Sequence, residues 1–324
     1  MVRPMTPDDP AAVALLCVMG PTASGKTALS IRLAADLDGE VVNGDSMQVF
    51  RGLEIGTASP TPEERGAIPH HLFGIWDPTE EADAARWARL AADRCREIAG
   101  RGRVPILVGG TFFWIRVLLE GLSNIPPIPR EVRLQVLADR EREGPEAIHR
   151  RLARVDPDGA ARLAPGDSQR VARALEVFLA TGTPLSVLQR QPRVPFLQAR
   201  VMRLVPALSV EETDRRIALR ARRMFDQGLV DEVRRLLDSG CPADARPLRT
   251  PSYAPVLDLL QGRCTAEEAL ARVILGHRQY AKRQRTWLRS EPGLVMVPGD
   301  APWAEALAIA TAFLGDVRGQ RGPE

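Results

Sequence analysis

The residues Gly20-Pro21-Thr22-Ala23-Ser24-Gly25-Lys26-Thr27, "GPTASGKT", have the spacing Gly-x-x-x-x-Gly-Lys-[Ser/Thr] of a phosphate-binding loop, here called the P-loop. In such a loop backbone N–H groups surround an anion, the lysine adds a charge, and the final hydroxyl can ligate Mg²⁺. The apolar run Ala11 to Met19 predicts a strand before it, and leucines spaced by four residues from Thr27 to Leu37 predict a helix after it. The loop alone does not distinguish a nucleotide from another diphosphate.

The rest of the chain predicts an α/β fold, a P-loop NTPase-like parallel sheet flanked by helices. Further strands are expected at 40–43, 104–108 and 199–205, and they alternate with helical segments. Two proline-containing breaks, Gly121 to Arg130 and Arg190 to Phe196, enclose a helical pattern. We therefore predict a core of 1–122 and 198–316 with basic C-terminal helices, a helical insertion at 123–197, and a frayed tail at 317–324.

Composition narrows the class of protein. The chain has 324 residues, 44% of them hydrophobic, and a net charge of +3, which is typical of a globular protein. No apolar run is long enough to span a bilayer and no signal peptide is recognisable, so a cytoplasmic protein without membrane partners is expected. The four widely spaced cysteines indicate inert thiols. His70 and His71 stand without a second cluster and are expected to be structural.

Polar residues follow the predicted strands where a parallel sheet binds its ligands. Asp45 follows the second strand, and Gly109-Gly110-Thr111 follows the third. A motor ATPase usually has acidic residues at the end of the corresponding strand. The absence of acidic residues at Gly109-Gly110-Thr111 argues against a motor ATPase. Arg216, Arg220 and Arg223 share a helix face by their spacing, and one of them can clamp a diphosphate while the others are solvated.

The stretch Arg272 to Arg289, "RVILGHRQYAKRQRTWLR", has six basic residues and no acidic one. Its stripe of Arg278, Lys282, Arg285 and Arg289 recurs at helical intervals, which is typical of a nucleic-acid surface but also of a solvated helix. Lys26 and Lys282 are the two lysines of a chain that otherwise uses arginine. The stripe alone leaves both interpretations open.

Together these segments resemble the tRNA dimethylallyltransferase family, the isopentenyl-tRNA transferases. The resemblance covers nearly the whole chain and rests on motifs in order along it, namely "GPTASGKT", "GDSMQVFRGLEIGTASP", "PHHLFGIWDPTEE", "VPILVGGT", "QRVARALEVFLATGTPLS" and "QYAKRQRTW". It implies transfer of a dimethylallyl group from dimethylallyl diphosphate to N6 of the adenosine 3′ of the anticodon, in tRNAs that read codons starting with U.

The resemblance also implies roles for residues. The catalytic residues would be Asp45, Thr111 and Arg220. Asp45 would be the general base, while Thr111 and Arg220 would help to neutralise the charge of the leaving diphosphate. The diphosphate would lie on Gly20, Thr22, Ala23, Ser24, Gly25, Lys26 and Thr27, with Mg²⁺ at Thr27. The anticodon stem-loop of tRNA would contact Asp45, Ser46, Met47, Gln48, Thr111, Arg133, Gln169, Arg170, Val171, Ala172, Arg173, Arg278, Lys282 and Arg285. A monomer is expected.

Two alternatives remain at this point. A small-molecule kinase would use the P-loop for ATP and Asp45 to activate a hydroxyl, and an RNA-binding protein would use the P-loop as a regulatory nucleotide site. Three departures from the family pattern bear on local contacts: Phe112-Phe113-Trp114 after the Gly-Gly-Thr turn, "TPSYAPV" at Thr250 to Val256, and His277 before Arg278. They are expected to affect the channel wall and RNA contacts rather than the reaction.

Overall fold

The computed structural model describes residues 12–299 and 303–319, and the chain divides into two compact units. The first unit contains the described residues up to Leu119 and those from Phe196 onward. The second unit is Glu120–Pro195, where the sequence predicted an insertion at 123–197. Ala11, the start of the first predicted strand, lies outside the described residues.

A parallel sheet of six strands forms the centre of the first unit. The strands are β1 Val13–Met19, β2 Gly39–Asn43, β3 His70–His71, β4 Val104–Gly109, β5 Ala199–Ala207 and β6 Leu294–Pro298. Their order is β3-β2-β4-β1-β5-β6, and every neighbouring pair is parallel. Because Met19 lies opposite Gly109, the P-loop and the Gly-Gly-Thr turn start side by side at the carboxyl edge of the sheet.

Helices account for most of the remaining structure. They are α1 Lys26–Asp36, α2 Pro62–Arg65, α3 Ala84–Gly100, α4 Phe112–Glu120, α5 Arg130–Glu143, α6 Pro145–Val155, α7 Pro157–Ala160, α8 Ser168–Thr181, α9 Leu185–Gln189, α10 Val210–Asp226, α11 Leu229–Asp238, α12 Ala254–Leu260, α13 Ala266–Leu288 and α14 Trp303–Gly319. Helices α5 to α9 belong to the second unit. No helix within the described residues is both long and apolar enough to cross a membrane.

The alternation of side chains along β1 explains its uninterrupted apolar sequence. Leu15 and Cys17 point into a core shared with α3, whereas Leu16 and Val18 point into a core shared with α1 and α14. All four side chains are fully buried. A strand covered on both faces has no position left for a polar side chain, and this pattern is typical of central parallel strands.

The second unit has its own apolar core. Val136, Ile148, Leu152 and Leu175 are buried there among α5, α6 and α8. The buried carboxylate of Asp156 accepts hydrogen bonds from the backbone N–H groups of Gly159 at 2.8 Å and Ser186 at 3.0 Å, and so joins the starts of α7 and α9.

Some element boundaries differ from the sequence prediction. Among the C-terminal helices, α10 and α11 are separated at Gly228, which adopts a left-handed φ of 94°. Strand β6 lies at the sheet edge, is partly exposed and ends in proline, so its pattern is weak. Helix α14 continues through Gly319, three residues into the segment expected to fray, and 320–324 lie outside the described residues.

Candidate active site

The P-loop connects β1 to α1 and presents its backbone toward the start of that helix. Gly25 has φ +87° at the position before α1, a conformation that glycine adopts without strain. The first N–H groups of a helix attract an anion because they have no partners within the helix. The hydroxyl Oγ of Ser24 is also buried and has no hydrogen-bond partner within the described part of the chain. The loop therefore offers donors without internal acceptors.

Two cationic side chains converge on this loop. The Lys26 ammonium donates to the backbone oxygen of Pro21 at 3.3 Å, and the Arg220 guanidinium donates to the hydroxyl of Thr22. Burial lowers the pKa of Lys26 to about 8 and that of Arg220 to about 10, while the carboxylate of Asp45 opposes both shifts. Two desolvated cations beside a helix N-terminus form a site that an anion would stabilise.

Arg220 is thereby distinguished from its neighbours on α10. Arg216 is paired with Glu212 at 2.6 Å, and Arg223 is exposed. The buried Nε of Arg220 has no partner among the described residues. Arg216 and Arg223 also line the cavity beside the P-loop, but among the described residues only Arg220 of the three donates a hydrogen bond to the loop.

Asp45 follows β2, and a network fixes its backbone. The buried side chain of Asn43 accepts from Asp45 N–H at 2.8 Å, and its amide donates to the oxygens of Asp45 and Leu72, each at 3.1 Å. The Asp45 oxygen Oδ1 accepts the N–H of Met47 at 2.9 Å. Its Oδ2 has no hydrogen bond to any described residue. Asp45 therefore has one carboxylate oxygen anchored and one available at the site.

Thr111 joins the turn after β4 to the loop that carries Asp45. Its hydroxyl accepts the N–H of Ser46 at 3.0 Å and lies 3.2 Å from the Ser46 hydroxyl. Further along that loop, Gln48 donates to the backbone oxygens of Thr57 at 3.1 Å and Ala58 at 3.0 Å. These bonds tie the predicted RNA-facing residues to the walls of the site.

Helix α13 contributes two side chains that the sequence reasoning did not select. Burial raises the pKa of Tyr280, and the nearby Asp45 carboxylate raises it further, so the phenol stays protonated beside the site. Gln284 is 3% exposed; its Oε1 accepts the N–H of Thr22 at 2.8 Å and its Nε2 donates to the oxygen of Gly110 at 2.9 Å. The sequence signal that could have identified Gln284 is its position on the largely apolar, buried face of α13.

A cavity of about 1190 Å³ opens beside the P-loop between α1, residues 54–65 and α10. Six arginines and Lys26 line it against two glutamates, so its potential is positive. Among the described residues, no aromatic side chain lines it. Ile31, Ile55, Leu219 and Met224 give it apolar patches. The cavity therefore suits an anion with an aliphatic part, and it borders the P-loop and Arg220, whereas Asp45 and Thr111 are not among its lining residues.

A buried carboxylate holds one wall of this cavity. Glu232 accepts the N–H groups of Glu54, Ile55 and Gly56 at 2.7–3.0 Å and the hydroxyl of Tyr253 at 2.8 Å. A side chain at Gly56 would collide with the Tyr253 ring, since its Cβ would lie 2.4 Å from Cζ. Tyr253 is fully buried, so the altered block Thr250 to Val256 supports the cavity wall through this residue.

The basic stripe of α13 is largely open to solvent. Arg278, Lys282 and Arg289 are exposed, and Arg278 lies 3.3 Å from Asp214. Arg285 is half-buried, with an Nη1 that has no hydrogen-bond partner among the described residues. The stripe thus occupies a different face of the helix from the half-buried Tyr280 and the buried Gln284.

The other residues predicted to contact tRNA lie in the second unit. Arg133 on α5 is exposed, as are Gln169 and Arg170 on α8, whereas Arg173 is half-buried. The side chains of Val171 and Ala172 are 1% and 4% exposed and pack in the core of that unit. The side chains of Val171 and Ala172 are therefore not accessible to RNA, contrary to the sequence prediction.

The remaining sequence predictions concern buried polar and apolar groups. His71 lies 2.6 Å from the buried Glu40, which also binds Arg101 and Arg103, and no cluster suited to a metal occurs in the described ranges. The four cysteines are free. Phe112 and Trp114 are buried, and Trp114 packs against Trp76 and Trp87, so this departure fills the core while Phe113 is exposed.

His277 is a buried neutral imidazole next to the site. It is 6% exposed, its Nε2 lies 2.8 Å from Ser252 Oγ, and its Nδ1 has no partner in the described chain. Burial, with a contribution from Arg220, lowers its pKa from 6.5 to about 3. The unfolded chain therefore binds this proton below pH 6.5 whereas the folded chain does not until pH falls to about 3.

Acidification should accordingly destabilise the protein through His277. Between pH 6.5 and 5 the loss amounts to at most about 1.4 kcal/mol per pH unit. We expect His277→Gln, which keeps a donor near Ser252, to show a shallower decline in the free energy of unfolding over this range. Urea titrations of both proteins at several pH values measure it, and identical pH slopes would contradict the assignment.

Family models match most of the chain. The IPP transferase model matches residues 48–291, and the Isopentenyl transferase model matches residues 13–68. A tRNA dimethylallyltransferase of Geobacter sulfurreducens is 44% identical over 303 residues, covering 93% of this chain and 97% of that protein. One from Anaeromyxobacter dehalogenans is 46% identical over 285 residues, covering 87% of this chain and 94% of that protein.

Solved structures are similar over the same extent. The tRNA isopentenylpyrophosphate transferase of Bacillus halodurans has a TM-score of 0.69 and 34% identity, covering 95% of this chain and 97% of the other. A eukaryotic dimethylallyltransferase acting on tRNA has a TM-score of 0.79 and 27% identity, covering 94% of this chain and 80% of the other. The likeness therefore extends through both units.

Proposed function

The chain belongs to the IPP transferase family, and from this premise we propose how its own residues carry out tRNA prenylation. It is a tRNA dimethylallyltransferase that moves a dimethylallyl group from dimethylallyl diphosphate to tRNA. The acceptor we propose is N6 of the adenosine 3′ of the anticodon, in tRNAs reading codons that start with U. The products are the N6-dimethylallyl adenosine and pyrophosphate.

Asp45 acts as the general base. The lone pair of adenine N6 is delocalised into the ring, so the amine needs a carboxylate to take its proton as the bond to the prenyl carbon forms. The unbonded Oδ2 of Asp45 is suited to this, because Oδ1 is anchored by the N–H of Met47. The base must leave the stacked anticodon loop to reach Asp45. We place it against Asp45 to Gln48.

The P-loop and two cations hold the leaving diphosphate. As the carbon–oxygen bond breaks, negative charge grows on the phosphate oxygens, and the half-buried cations Lys26 and Arg220 stabilise it. The hydroxyl of Thr111, fixed by Ser46, is the further donor that we assign to this step. The orphaned Ser24 hydroxyl and the free N–H groups at α1 complete the cradle.

A divalent metal fits this site only together with the diphosphate. Thr27 borders the cavity and offers one hydroxyl, and no group of three acidic, histidine or cysteine side chains near it is suited to a metal in the described residues. Mg²⁺ is commonly held in this way, by few protein ligands and by substrate phosphates. We propose Mg²⁺ at Thr27, where it would neutralise diphosphate charge.

The observation that carries the proposal is the geometry of the site, in which Arg220 donates to Thr22 of the P-loop and Thr111 accepts the N–H of Ser46, next to Asp45. A base beside the cradle serves attack on the carbon that bears the diphosphate. The cavity offers Ile31, Ile55, Leu219 and Met224 to an aliphatic chain, and none of its described lining residues is an aromatic on which adenine could stack. This lining favours the prenyl donor over ATP.

Thermal protection separates these two ligands. With Mg²⁺ present, dimethylallyl diphosphate should raise the melting temperature, because a ligand that binds only the folded state stabilises it. ATP at the same concentration should raise it much less. The Lys26→Met variant provides the control, since it should lose the donor's effect. Protection by ATP alone would favour the kinase and contradict the proposal.

The exposed stripe of α13 is the part of the first unit that we assign to the RNA backbone. Replacing both Lys282 and Arg285 by glutamine should weaken binding of the anticodon stem-loop and reduce the slope of log Kd against log salt by about two at most. The control removes two charges on α3, Arg94→Gln with Arg96→Gln, which are paired with Glu97 and Asp93. If the slope of log Kd against log salt were unchanged in the Lys282 and Arg285 variant, the stripe would be only a solvated face of α13.

We further infer a cytoplasmic enzyme that acts as a monomer. We infer the cytoplasm because the substrate is tRNA. Every group that we assign to catalysis and to the diphosphate comes from one chain, so a second copy is not needed to complete the site.

A further inference from the structure

We propose that Gln284 is a positioning residue, which sets the separation between the P-loop and the Gly-Gly-Thr turn and so aligns the leaving diphosphate with Thr111 and Asp45. The proposal rests on the proposed function of the site. It concerns a residue that touches neither the donor nor the acceptor in our assignment, but that bonds to the backbone on both sides.

Both the oxygen and the nitrogen of the Gln284 side-chain amide form a hydrogen bond. Its oxygen accepts the N–H of Thr22 in the P-loop at 2.8 Å, and its nitrogen donates to the oxygen of Gly110 at 2.9 Å. Thr22 also accepts from Arg220, and Gly110 precedes Thr111. One planar group therefore connects the loop that holds the diphosphate to the turn that carries Thr111.

The sheet does not supply this connection. Strands β1 and β4 are paired as far as Met19 and Gly109, and beyond that register their loops leave the ladder. The amide of Gln284 spans the two loops just past that point. A rigid link at this place keeps the diphosphate donors and Thr111 at one distance, and small displacements of reacting groups have large kinetic effects.

The Gly-Gly-Thr turn has room for the Gln284 amide only because residue 110 is glycine. A Cβ at Gly110 would lie 2.3 Å from Gln284 Nε2, so only glycine permits the contact. The amide is also chemically specific, because it presents an acceptor and a donor at one end. A glutamate would turn the donor into an acceptor facing the Gly110 oxygen, and a methionine would fill the space without either bond.

Substitution by methionine tests the proposal. In Gln284→Met we expect kcat for prenylation of an anticodon stem-loop to fall by about 10- to 100-fold, as expected for a misaligned site, with KM for the stem-loop changed less than about threefold. We also expect magnesium pyrophosphate to bind about 5- to 20-fold more weakly by calorimetry, because the P-loop is no longer held. Gln284→Glu should be worse on both measures. The matched control is Gln279→Met, an exposed glutamine on the same helix.

A second variant covers the case in which Gln284→Met does not fold. Gly110→Ala retains Gln284, but the new Cβ would displace the glutamine amide from its position. We expect the same loss of kcat, with little change in KM for the stem-loop. A folded Gln284→Met protein with wild-type kcat and pyrophosphate affinity would overturn the proposal, as would a defect confined to KM for the stem-loop. If the wild-type protein itself made no prenylated RNA, the proposed function would fail instead, which the wild-type assay alone reveals.

Discussion

Replacing Asp45 by asparagine is expected to lower kcat by about 10²- to 10⁴-fold, the usual contribution of a general base. Asparagine preserves the size of the side chain and can still accept the Met47 N–H, so the loop should keep its shape. It cannot take a proton at neutral pH. Affinity for the anticodon stem-loop should stay within a few-fold of the wild-type value, because we assign binding of the RNA backbone to the stripe of α13. Single-turnover prenylation and filter binding measure the two quantities.

The matched control is Asp93→Asn, an exposed aspartate on α3 that pairs with Arg96. It should prenylate at the wild-type rate. An Asp45→Asn enzyme that retains more than a third of wild-type kcat would remove this carboxylate from proton transfer. A variant that loses RNA binding as strongly as turnover would instead make Asp45 an RNA-contacting residue.

The second large effect is expected at Lys26. Lys26→Met should reduce kcat/KM for the donor by about 10²- to 10³-fold, comparable to removing one donor from an oxyanion-binding site. The ammonium is half-buried, so its charge acts on the diphosphate with less screening than in bulk water. Magnesium pyrophosphate should also bind more weakly by calorimetry, since the product retains the phosphates that Lys26 contacts.

An exposed cation on α10 provides the control for lost charge. Arg222 does not line the cavity, and Arg222→Gln should leave donor kinetics unchanged. If Lys26→Met lost only stem-loop affinity and kept its donor kinetics, the diphosphate would have to bind outside the P-loop.

The sequence predicted the parts of the site that local patterns encode. The P-loop and the strand tip at Asp45 are contiguous motifs whose chemistry follows from spacing. The choice of Arg220 among three arginines on α10 was suggested by the family resemblance, and the packing of α10 against the P-loop gives its physical reason. A helical repeat places three side chains on one face, but it does not say which of them another element covers.

Contacts between distant residues were the part that could not be predicted. Gln284 bonds Thr22 from 262 residues away, and Glu232 holds Gly56 from 176 residues away. Neither partner belongs to a motif with a fixed spacing, so only the assembled fold reveals the pair. The altered block around Tyr253 illustrates the same limit, since its tyrosine supports a cavity wall and is not exposed to RNA.

The most direct test of the account is the mass of the RNA product. Unmodified tRNA is incubated with the protein, Mg²⁺ and isotopically labelled dimethylallyl diphosphate, then digested to nucleosides and analysed by mass spectrometry. We predict labelled N6-dimethylallyl adenosine from the nucleotide 3′ of the anticodon, formed with an equal amount of pyrophosphate. Saturating donor and tRNA that yield no labelled adenosine, or label on another nucleotide, would contradict the account.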